Sequence, residues 1–316
     1  MKDFLKFTKV LQKKISKNRY LFIFPSLLFI LLLLFVALDF YIGLDLAKKE
    51  ILSSPFQNIG ISSYPTLKTK FNPDVTAEAA VVMDDDSKTL LFSKNENLRF
   101  STASTAKIMS ALVALDYYKP QDILTIYTSD VEPVVVGFKK GEQFFFKDVL
   151  YAMLVPSGND AAVAIAENYP GGEKAFVSQM NKKARSLNLF STHFADSSGL
   201  LDNDYSTALD LARLTSAALK NQTFAEIVAT KTKTITDITG KNSYQLLNLN
   251  KLLGVNGVNG VKTGYTQEAG GVLITSQIEN GKTIIIVVMK SQDRFLDMGE
   301  IISKTKDNLI FLSSHP

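Results

Sequence analysis

Three short motifs place hydroxyl groups beside amine or amide groups, in a fixed order along the chain. They are Ser104-Thr105-Ala106-Lys107, Ser157-Gly158-Asn159 and Lys262-Thr263-Gly264. A serine hydroxyl becomes a nucleophile when a nearby base takes its proton, and an uncharged amine can serve as that base. The residue types and their spacing therefore predict a serine site for acyl transfer.

Each motif is weak by itself, because such short patterns recur by chance. The recurrences are Ser303 to Lys306 for Ser-x-x-Lys, and Ser16, Ser93 and Ser186 for Ser-x-Asn. In isolation, Ser104 would be interpreted as a helix cap and Ser157 as part of a plain turn before a helix. The prediction depends on the order of the motifs and on the long gaps between them, which allow three elements to converge on one cleft.

The motif residues suggest a division of roles. Lys107 lies three residues after Ser104, on the same face of a helix, and can act as its base if burial and a neighbouring cation lower its pKa. Lys262 would be that cation. Ser157 could relay a proton, and Asn159 could orient the substrate amide and Lys107. In the third motif, Lys262 and Thr263 suit a terminal carboxylate, while Gly264 lets the substrate backbone approach the strand.

Composition excludes several other kinds of protein. The chain has 316 residues, of which 46% are hydrophobic, enough for one large domain or two modest ones. It has no cysteine, which excludes disulfides, a lipidated cysteine and thiolate metal sites. With only His193 and His315, a histidine-rich metal site is excluded as well. We therefore expect no metal and no cofactor.

The N-terminal region has the pattern of a membrane anchor. Residues 1–19 carry seven Lys/Arg against one Asp, and no charged residue lies between Tyr20 and Leu38. At about 1.5 Å per residue this apolar run just spans a bilayer core of roughly 30 Å, and the basic flank places the N-terminus in the cytoplasm. A cleaved signal peptide is the alternative, but the run is long and no Ala-x-Ala site follows it.

These features predict four segments. They are a basic cytoplasmic segment (1–19), a single-pass transmembrane anchor (20–42), an extracytoplasmic linker rich in Ser, Pro and Asn (43–75), and a catalytic domain (76–316). The total charge is +4 and the first segment supplies +6, so the remainder carries about −2. The positive net charge thus comes from the segment that would stay on the cytoplasmic side of the membrane. We therefore expect a cell-membrane location and no nucleic-acid partner.

Periodicity in the domain predicts strands at both ends and helices in the middle. Strands are expected at 79–83, 89–93, 271–278 and 283–289, the last two joined by an Asn280-Gly281 hairpin turn, with weaker candidates at 232–239 and 243–249. Helices are expected from about Ser104, throughout a lobe at about 140–225, and from Asp293 to Leu312. The fold class is therefore mixed α/β (α+β), a sandwich with an inserted helical lobe.

With all three motifs in view, the chain resembles the penicillin-recognising serine enzymes, and specifically the low-molecular-mass D-alanyl-D-alanine carboxypeptidases. The resemblance covers about residues 76–312. It also includes residues around the motifs, namely Ile108-Met109-Ser110-Ala111, Leu154-Val155-Pro156, Asp160-Ala161-Ala162, Thr192 to Leu200, Gly260-Val261 and Tyr265-Thr266. One departure is Phe100-Ser101-Thr102-Ala103, where relatives often have Pro-Ala before the serine.

This resemblance implies both a fold and a reaction. The fold would be a β-lactamase/transpeptidase-like sandwich, a mainly antiparallel sheet flanked by helices, with the site between sheet and lobe. Ser104 would attack the carbonyl between the last two D-alanines of a peptidoglycan stem, with Lys107 as general base and the backbone N–H groups of Ser104 and Tyr265 as the oxyanion hole. D-alanine would leave, water would hydrolyse the acyl-enzyme, and penicillin would acylate the same serine.

Several alternatives use the same scaffold. A class A β-lactamase needs a Glu before a Leu-Asn pair, but Ala184 stands where that Glu would precede Leu187-Asn188. A D,D-endopeptidase or transpeptidase differs only in what enters the cleft. A non-catalytic muropeptide-binding protein is the remaining alternative. His193 lies in a motif region where a packing role is favoured over catalysis.

Overall fold

The computed structural model describes residues 31–42, 64–133, 136–306 and 308–312. The strands are β1 (Tyr64–Leu67), β2 (Ala79–Asp84), β3 (Leu90–Lys94), β4 (Phe100–Ser101), β5 (Ile123–Thr125), β6 (Gln143–Phe145), β7 (Tyr205–Ser206), β8 (Thr232–Thr236), β9 (Ser243–Leu247), β10 (Val258–Thr266), β11 (Gly270–Glu279), β12 (Lys282–Ser291) and β13 (Leu309–Leu312). The helices are α1 (Lys107–Tyr117), α2 (Phe146–Leu154), α3 (Asn159–Glu167), α4 (Gly172–Ser186), α5 (Ala208–Leu219), α6 (Gln222–Val228) and α7 (Arg294–Thr305), and a 3₁₀ turn, Ala103–Ala106, precedes α1.

A five-stranded antiparallel sheet, in the order β10-β11-β12-β2-β3, forms the middle layer. Both of its faces are covered, which explains the unbroken apolar run 284–289 of β12, since successive side chains point to opposite faces. Ile285 and Val287 pack into the core on one face, and Ile284 and Ile286 pack into the core on the other. The first core holds helices α1–α6, so the helical lobe covers this face.

The other face of the sheet is covered by α7 and by a small sheet of β1 and β13. The helix predicted for Asp293–Leu312 is wrong in its second half, because α7 ends at Thr305 and the chain continues as β13. Leu309 is buried, but in strand β13, where it pairs with Leu67 of the antiparallel strand β1. Seven residues separate Ile302 from Leu309, a spacing that fits a helix as well as a later strand, so periodicity could not distinguish the two.

The folded part of the chain starts earlier than the predicted linker allows. Strand β1 lies inside the segment 43–75 that the sequence assigns to a linker, and Lys68 N donates to Asn308 O at 2.9 Å next to it. Its pairing partner is more than two hundred residues away, and a four-residue strand containing Pro65 has no local signal. The boundary predicted at residue 76 therefore misses β1.

The other predicted elements are found with small shifts of their ends. The Asn280-Gly281 turn joins β11 to β12 with positive φ at both residues, as a two-residue hairpin requires. The expected helices between residues 140 and 225 correspond to α2–α5, followed by α6. At Ser104, however, the chain forms the 3₁₀ turn, and the α-helix starts only at Lys107.

The N-terminal region is described only in part. Residues 31–42 are helical and exposed, and no helix among the described residues is long and apolar enough to cross a bilayer. The basic segment 1–19, residues 20–30 of the predicted span and residues 43–63 of the predicted linker lie outside the described residues.

Candidate active site

The first motif forms a sharp corner between β4 and α1. Ala103 adopts a positive φ of 45°, and the 3₁₀ turn that follows stacks residues three apart. This local geometry brings Lys107 Nζ to 3.0 Å from Ser104 Oγ. Ser104 is half-buried, whereas Lys107 is fully buried, so the serine is partly open to solvent and the amine lies in the interior.

Lys107 is held by acceptors from two other parts of the lobe. Its Nζ donates to Asn159 Oδ1 at 2.7 Å and to the backbone oxygen of Ser198 at 2.8 Å. Burial lowers its pKa from 10.5 to about 7, against the opposing charges of Asp196, Asp160 and Asp204. An amine with that pKa is partly uncharged near neutral pH, which is what a general base for a serine hydroxyl requires.

The second motif is a strained turn between α2 and α3. Ser157 has a φ of 66°, a conformation that costs a non-glycine residue about 1–3 kcal/mol and occurs often at functional sites. A Cβ on Gly158 would lie 2.9 Å from Ala152 O, so only glycine fits there. Asp160 accepts the N–H groups of Val136 and Gly137 at 3.0 and 3.1 Å, which fixes the turn against the neighbouring loop.

The third motif lies on β10, at the edge of the sheet. Lys262 is buried, and its Nζ donates to Ser157 Oγ at 2.7 Å and to Thr263 O at 3.0 Å. Its pKa is well below the usual 10.5, chiefly because of burial and then because the cations Lys107 and Arg294 are near. The hydrogen bonds thus join all three motifs in one cluster, as the order of the motifs predicts.

Gly264 allows β10 to pass close to the serine corner. A Cβ at this position would lie 3.0 Å from Ala103 Cβ and 3.1 Å from Ser104 N. The next residue, Tyr265, has an exposed side chain and pairs with Gly271 of β11. The backbone of β10 next to Tyr265 therefore passes close to the backbone of Ser104.

Arg294 is a site residue that sequence reasoning missed. It is the first residue of α7, and its guanidinium lies 5.8 Å from the ring of Tyr265 and lowers the pKa of Lys262. Its Nε is buried and makes no hydrogen bond within the part of the chain that the structure describes. A cation at a helix N-terminus is unfavourable, because it opposes the helix dipole. This unfavourable placement is the feature of the sequence that could have indicated a role for Arg294.

His193 lies in a different setting from the serines. Its backbone pairs with that of Tyr205, the first residue of β7, through hydrogen bonds of 2.9 and 3.0 Å, and its ring lies 5.7 Å from the Tyr205 ring. This setting agrees with the packing role predicted for it.

The part of the chain that contains the three motifs is similar to known proteins. One protein family, described as D-alanyl-D-alanine carboxypeptidase, matches residues 66–293. A D-alanyl-D-alanine carboxypeptidase of Bacillus subtilis is 36% identical over 221 residues, which are 67% of this chain and 57% of that protein. A D-alanyl-D-alanine endopeptidase of Escherichia coli is 29% identical over 251 residues, 78% of this chain and 81% of that protein.

A solved structure has the same fold. The crystal structure of a Streptomyces DD-transpeptidase superposes with a TM-score of 0.70 at 32% identity, over 74% of this chain and 98% of that one. The chain thus covers nearly all of this structure, but little more than half the length of the Bacillus protein.

Proposed function

The chain belongs to the D-alanyl-D-alanine carboxypeptidase family of serine peptidases, and we propose that it removes the terminal D-alanine from peptidoglycan stem pentapeptides. The observation that carries this proposal is the contact between Lys107 Nζ and Ser104 Oγ at 3.0 Å, with the pKa of Lys107 lowered by burial to about 7. A base with this pKa is matched to a reaction near neutral pH.

Acylation begins at this contact. Uncharged Lys107 takes the proton of Ser104 Oγ as the oxygen bonds to the carbonyl carbon between the two D-alanines. The carbonyl oxygen becomes an oxyanion, which the N–H groups of Ser104 and Tyr265 stabilise; one such donor contributes typically about 2.7–4 kcal/mol. Asn159 holds Lys107 in position through its side-chain oxygen.

The leaving group departs with a proton. The amine of the terminal D-alanine needs one as the peptide bond breaks. Lys107 gives up the proton that it took from Ser104, and the hydroxyl of Ser157, which accepts a hydrogen bond from Lys262, can pass it on to the amine, so that Lys107 is uncharged again. The new ester on Ser104 is then hydrolysed by water, with Lys107 taking the proton of the water and returning it to Ser104. The stem peptide and one water are thus converted to the shortened peptide and D-alanine.

The terminal carboxylate of the substrate gives the third motif its role. Lys262 and Thr263 lie where β10 borders the cleft, and Arg294 adds a second cation beside them. Two cations and a hydroxyl suit a carboxylate, and this preference would direct the enzyme to chain ends. Gly264 leaves room for the backbone of the substrate along the strand.

Release of D-alanine tests the proposal. The full chain in detergent is incubated with a pentapeptide ending in D-Ala-D-Ala, beside a Ser104→Ala variant, and free D-alanine is measured. Release that disappears in the variant supports both the activity and the nucleophile. No release from folded wild-type protein would contradict the proposal.

The endopeptidase or transpeptidase alternative has a specific observation in its favour. The Escherichia coli relative is named an endopeptidase and the Streptomyces structure a transpeptidase. Cross-linked muropeptide dimers in the same assay distinguish these activities, because an endopeptidase converts dimers to monomers.

The β-lactamase alternative is disfavoured because Ala184, where its glutamate would stand, is buried in the core. Acylation by a fluorescent penicillin separates an enzyme from a pure muropeptide binder.

The location of the protein is part of the proposal. The basic segment 1–19 followed by the apolar run Tyr20–Leu38 supports a single-pass anchor, with its N-terminus in the cytoplasm and the catalytic part outside. Protease added to intact spheroplasts should then digest the catalytic part and spare the N-terminal segment. Protection of the whole chain would contradict this topology.

A further inference from the structure

A tight loop between α4 and β7 is folded around the carboxylate of Asp196. Its two oxygens accept the backbone N–H groups of residues 198–201 at 2.5–3.0 Å, and Oδ1 also accepts the Ser198 hydroxyl at 2.9 Å. This closure fixes the backbone carbonyl of Ser198, which accepts Lys107 Nζ at 2.8 Å. One carboxylate thus organises a backbone contact of the general base.

A second carboxyl group, that of Asp204, lies directly beside it. Asp204 is fully buried; its Oδ1 accepts Ala195 N at 2.5 Å, and its Oδ2 is buried with no donor among the described residues. Burial, and then the negative charge of Asp196, raise the pKa of Asp204 to about 8. Two ionised carboxylates have no proton to share, but a protonated Asp204 can donate one to Asp196, and this gives the buried oxygen its partner.

Other charges surround this pair and the amine it serves. They are Lys107 on α1, Lys262 on β10, Asp160 at the start of α3, and Glu173 on α4, whose Oε1 accepts the hydroxyl of Ser197. The protonated form of Lys107 favours ionisation of the pair, whereas the carboxylates of Asp160 and Glu173 oppose it. Asp196 is the first opposing charge that acts on Lys107 after the effect of burial, so the state of this pair matters to the base.

We propose that Asp196 and Asp204 are a positioning pair for Lys107: they share one proton, keep a single negative charge beside the amine, and present the Ser198 carbonyl to it. The inference rests on the proposed role of Lys107 as general base. Neither carboxylate need touch the substrate. Their part is to set the position of the base and the pH at which it becomes uncharged.

The sign of the pH effect follows from this arrangement. The single charge of the pair raises the pKa of Lys107, against the lowering by burial. Above about pH 8, Asp204 loses the shared proton and a second negative charge forms. That charge favours protonated Lys107, so acylation should rise with pH over a wider range than one ionisation gives.

The test is the pH dependence of acylation of the full chain by a fluorescent penicillin, between pH 5 and 9. The Asp204→Asn variant keeps the negative charge of Asp196, but its amide cannot ionise. Its plot of acylation rate against pH should therefore be steeper than that of the wild type above pH 7 and should match it near pH 6. The double variant Asp196→Asn/Asp204→Asn has no negative charge at these two positions. The midpoint of its rise in acylation rate should lie about one pH unit lower than in the wild type, as removal of one nearby charge predicts. Each curve is normalised to its own plateau, because a merely structural loss lowers the plateau without moving the midpoint.

Asp210→Asn is the matched control. Asp210 is also buried, accepts Ser191 N at 3.0 Å and the Thr192 hydroxyl at 2.9 Å, and is not among the charges that act on Lys107. Its midpoint should equal that of the wild type. Equal midpoints and slopes for all four proteins would overturn the proposal.

A second measurement does not depend on turnover or on the folding of a variant. The carboxyl ¹³C shift of Asp204 in the wild-type protein should report a protonated group at pH 7 and titrate near pH 8. An ionised Asp204 at pH 7 would overturn the proposal even if acylation is normal. If the wild type is not acylated at all, the proposed function fails, and the ¹³C titration still decides the state of the pair.

Discussion

Two regions of the site each contain a buried lysine that is hydrogen-bonded to a serine, and the Nζ–Oγ distances in the two regions are similar. In the region at the start of α1, Lys107 Nζ lies 3.0 Å from Ser104 Oγ. In the region between the helical lobe and β10, Lys262 Nζ lies 2.7 Å from Ser157 Oγ. Geometry alone would allow either lysine to activate its serine.

The electrostatic surroundings separate the two regions. Lys107 has the carboxylates of Asp196 and Asp160 near it, which oppose the lowering of its pKa by burial, so that this pKa is about 7. Lys262 has cations near it instead, Lys107 and Arg294, which lower its pKa further. The first lysine therefore keeps a proton affinity suited to a base, whereas a bound anion would favour the charged form of the second. This difference supports the proposal that the base lies in the first region and that the second region binds the carboxylate of the substrate.

The largest expected effect is a contrast between the two serines. Ser104→Ala removes the nucleophile and should reduce D-alanine release by about 10⁴-fold or more. Ser157→Ala removes only a proton relay and should cost about 10²–10³-fold, with acylation by penicillin slowed but still present. Steady-state kinetics and gel fluorescence of the two variants measure this contrast. Equal losses would mean that the two regions share the nucleophilic role.

Gly264 sets the distance between the two regions, and its substitution should have the next largest effect. In Gly264→Ala, the new methyl would be 3.0 Å from Ala103 Cβ, so β10 must move away from the Ser104 corner. A displacement of this kind should cost about 10–10²-fold in acylation rate.

Gly299→Ala is the control for Gly264→Ala. Gly299 lies inside α7, where an added Cβ meets nothing within 4 Å. The variant should keep full activity and gain about 0.5–1 kcal/mol in the free energy of unfolding, because alanine favours a helix over glycine. Denaturant titration and acylation kinetics report both quantities. Wild-type activity in Gly264→Ala would show that β10 does not set the spacing.

The sequence predicted the members of both regions but not the groups that distinguish them. The three motifs carry their residue types and order locally, and α1 follows from hydrophobic periodicity, but β10 is not among the strands that the sequence predicts. By contrast, the surroundings of each lysine come from residues distant in sequence, such as Asp204 beside the first and Arg294 beside the second. Their effect depends on burial and distance, which no local pattern encodes. The β1–β13 pair was missed for the same reason, since it joins the two ends of the domain.

A smaller effect concerns the pH dependence of the first region. The pKa of Lys107 is lowered to about 7, so the uncharged form that acts as base is lost as pH falls through 7. The acylation rate should therefore fall about tenfold per pH unit well below 7 and rise only gradually above it. Stopped-flow acylation in buffers of constant ionic strength measures this. A rate independent of pH between 5 and 8 would exclude Lys107 as the titrating base.

The smallest effect, a fraction of one proton, concerns the second region. The pKa of Lys262 is lowered well below 10.5, so burial favours its uncharged amine in the free protein. A bound carboxylate stabilises the ammonium and raises that pKa, so a proton is taken up at any pH between the free and bound values. Calorimetric titration of the Ser104→Ala variant with a D-Ala-D-Ala peptide, in buffers of different ionisation enthalpy, counts this proton. The C-terminal amide of the same peptide should show no uptake, and Lys262→Arg should abolish it, because arginine is already charged. Uptake that persists with Lys262→Arg would place the responding group in the first region, and the division between the two lysines would then be wrong.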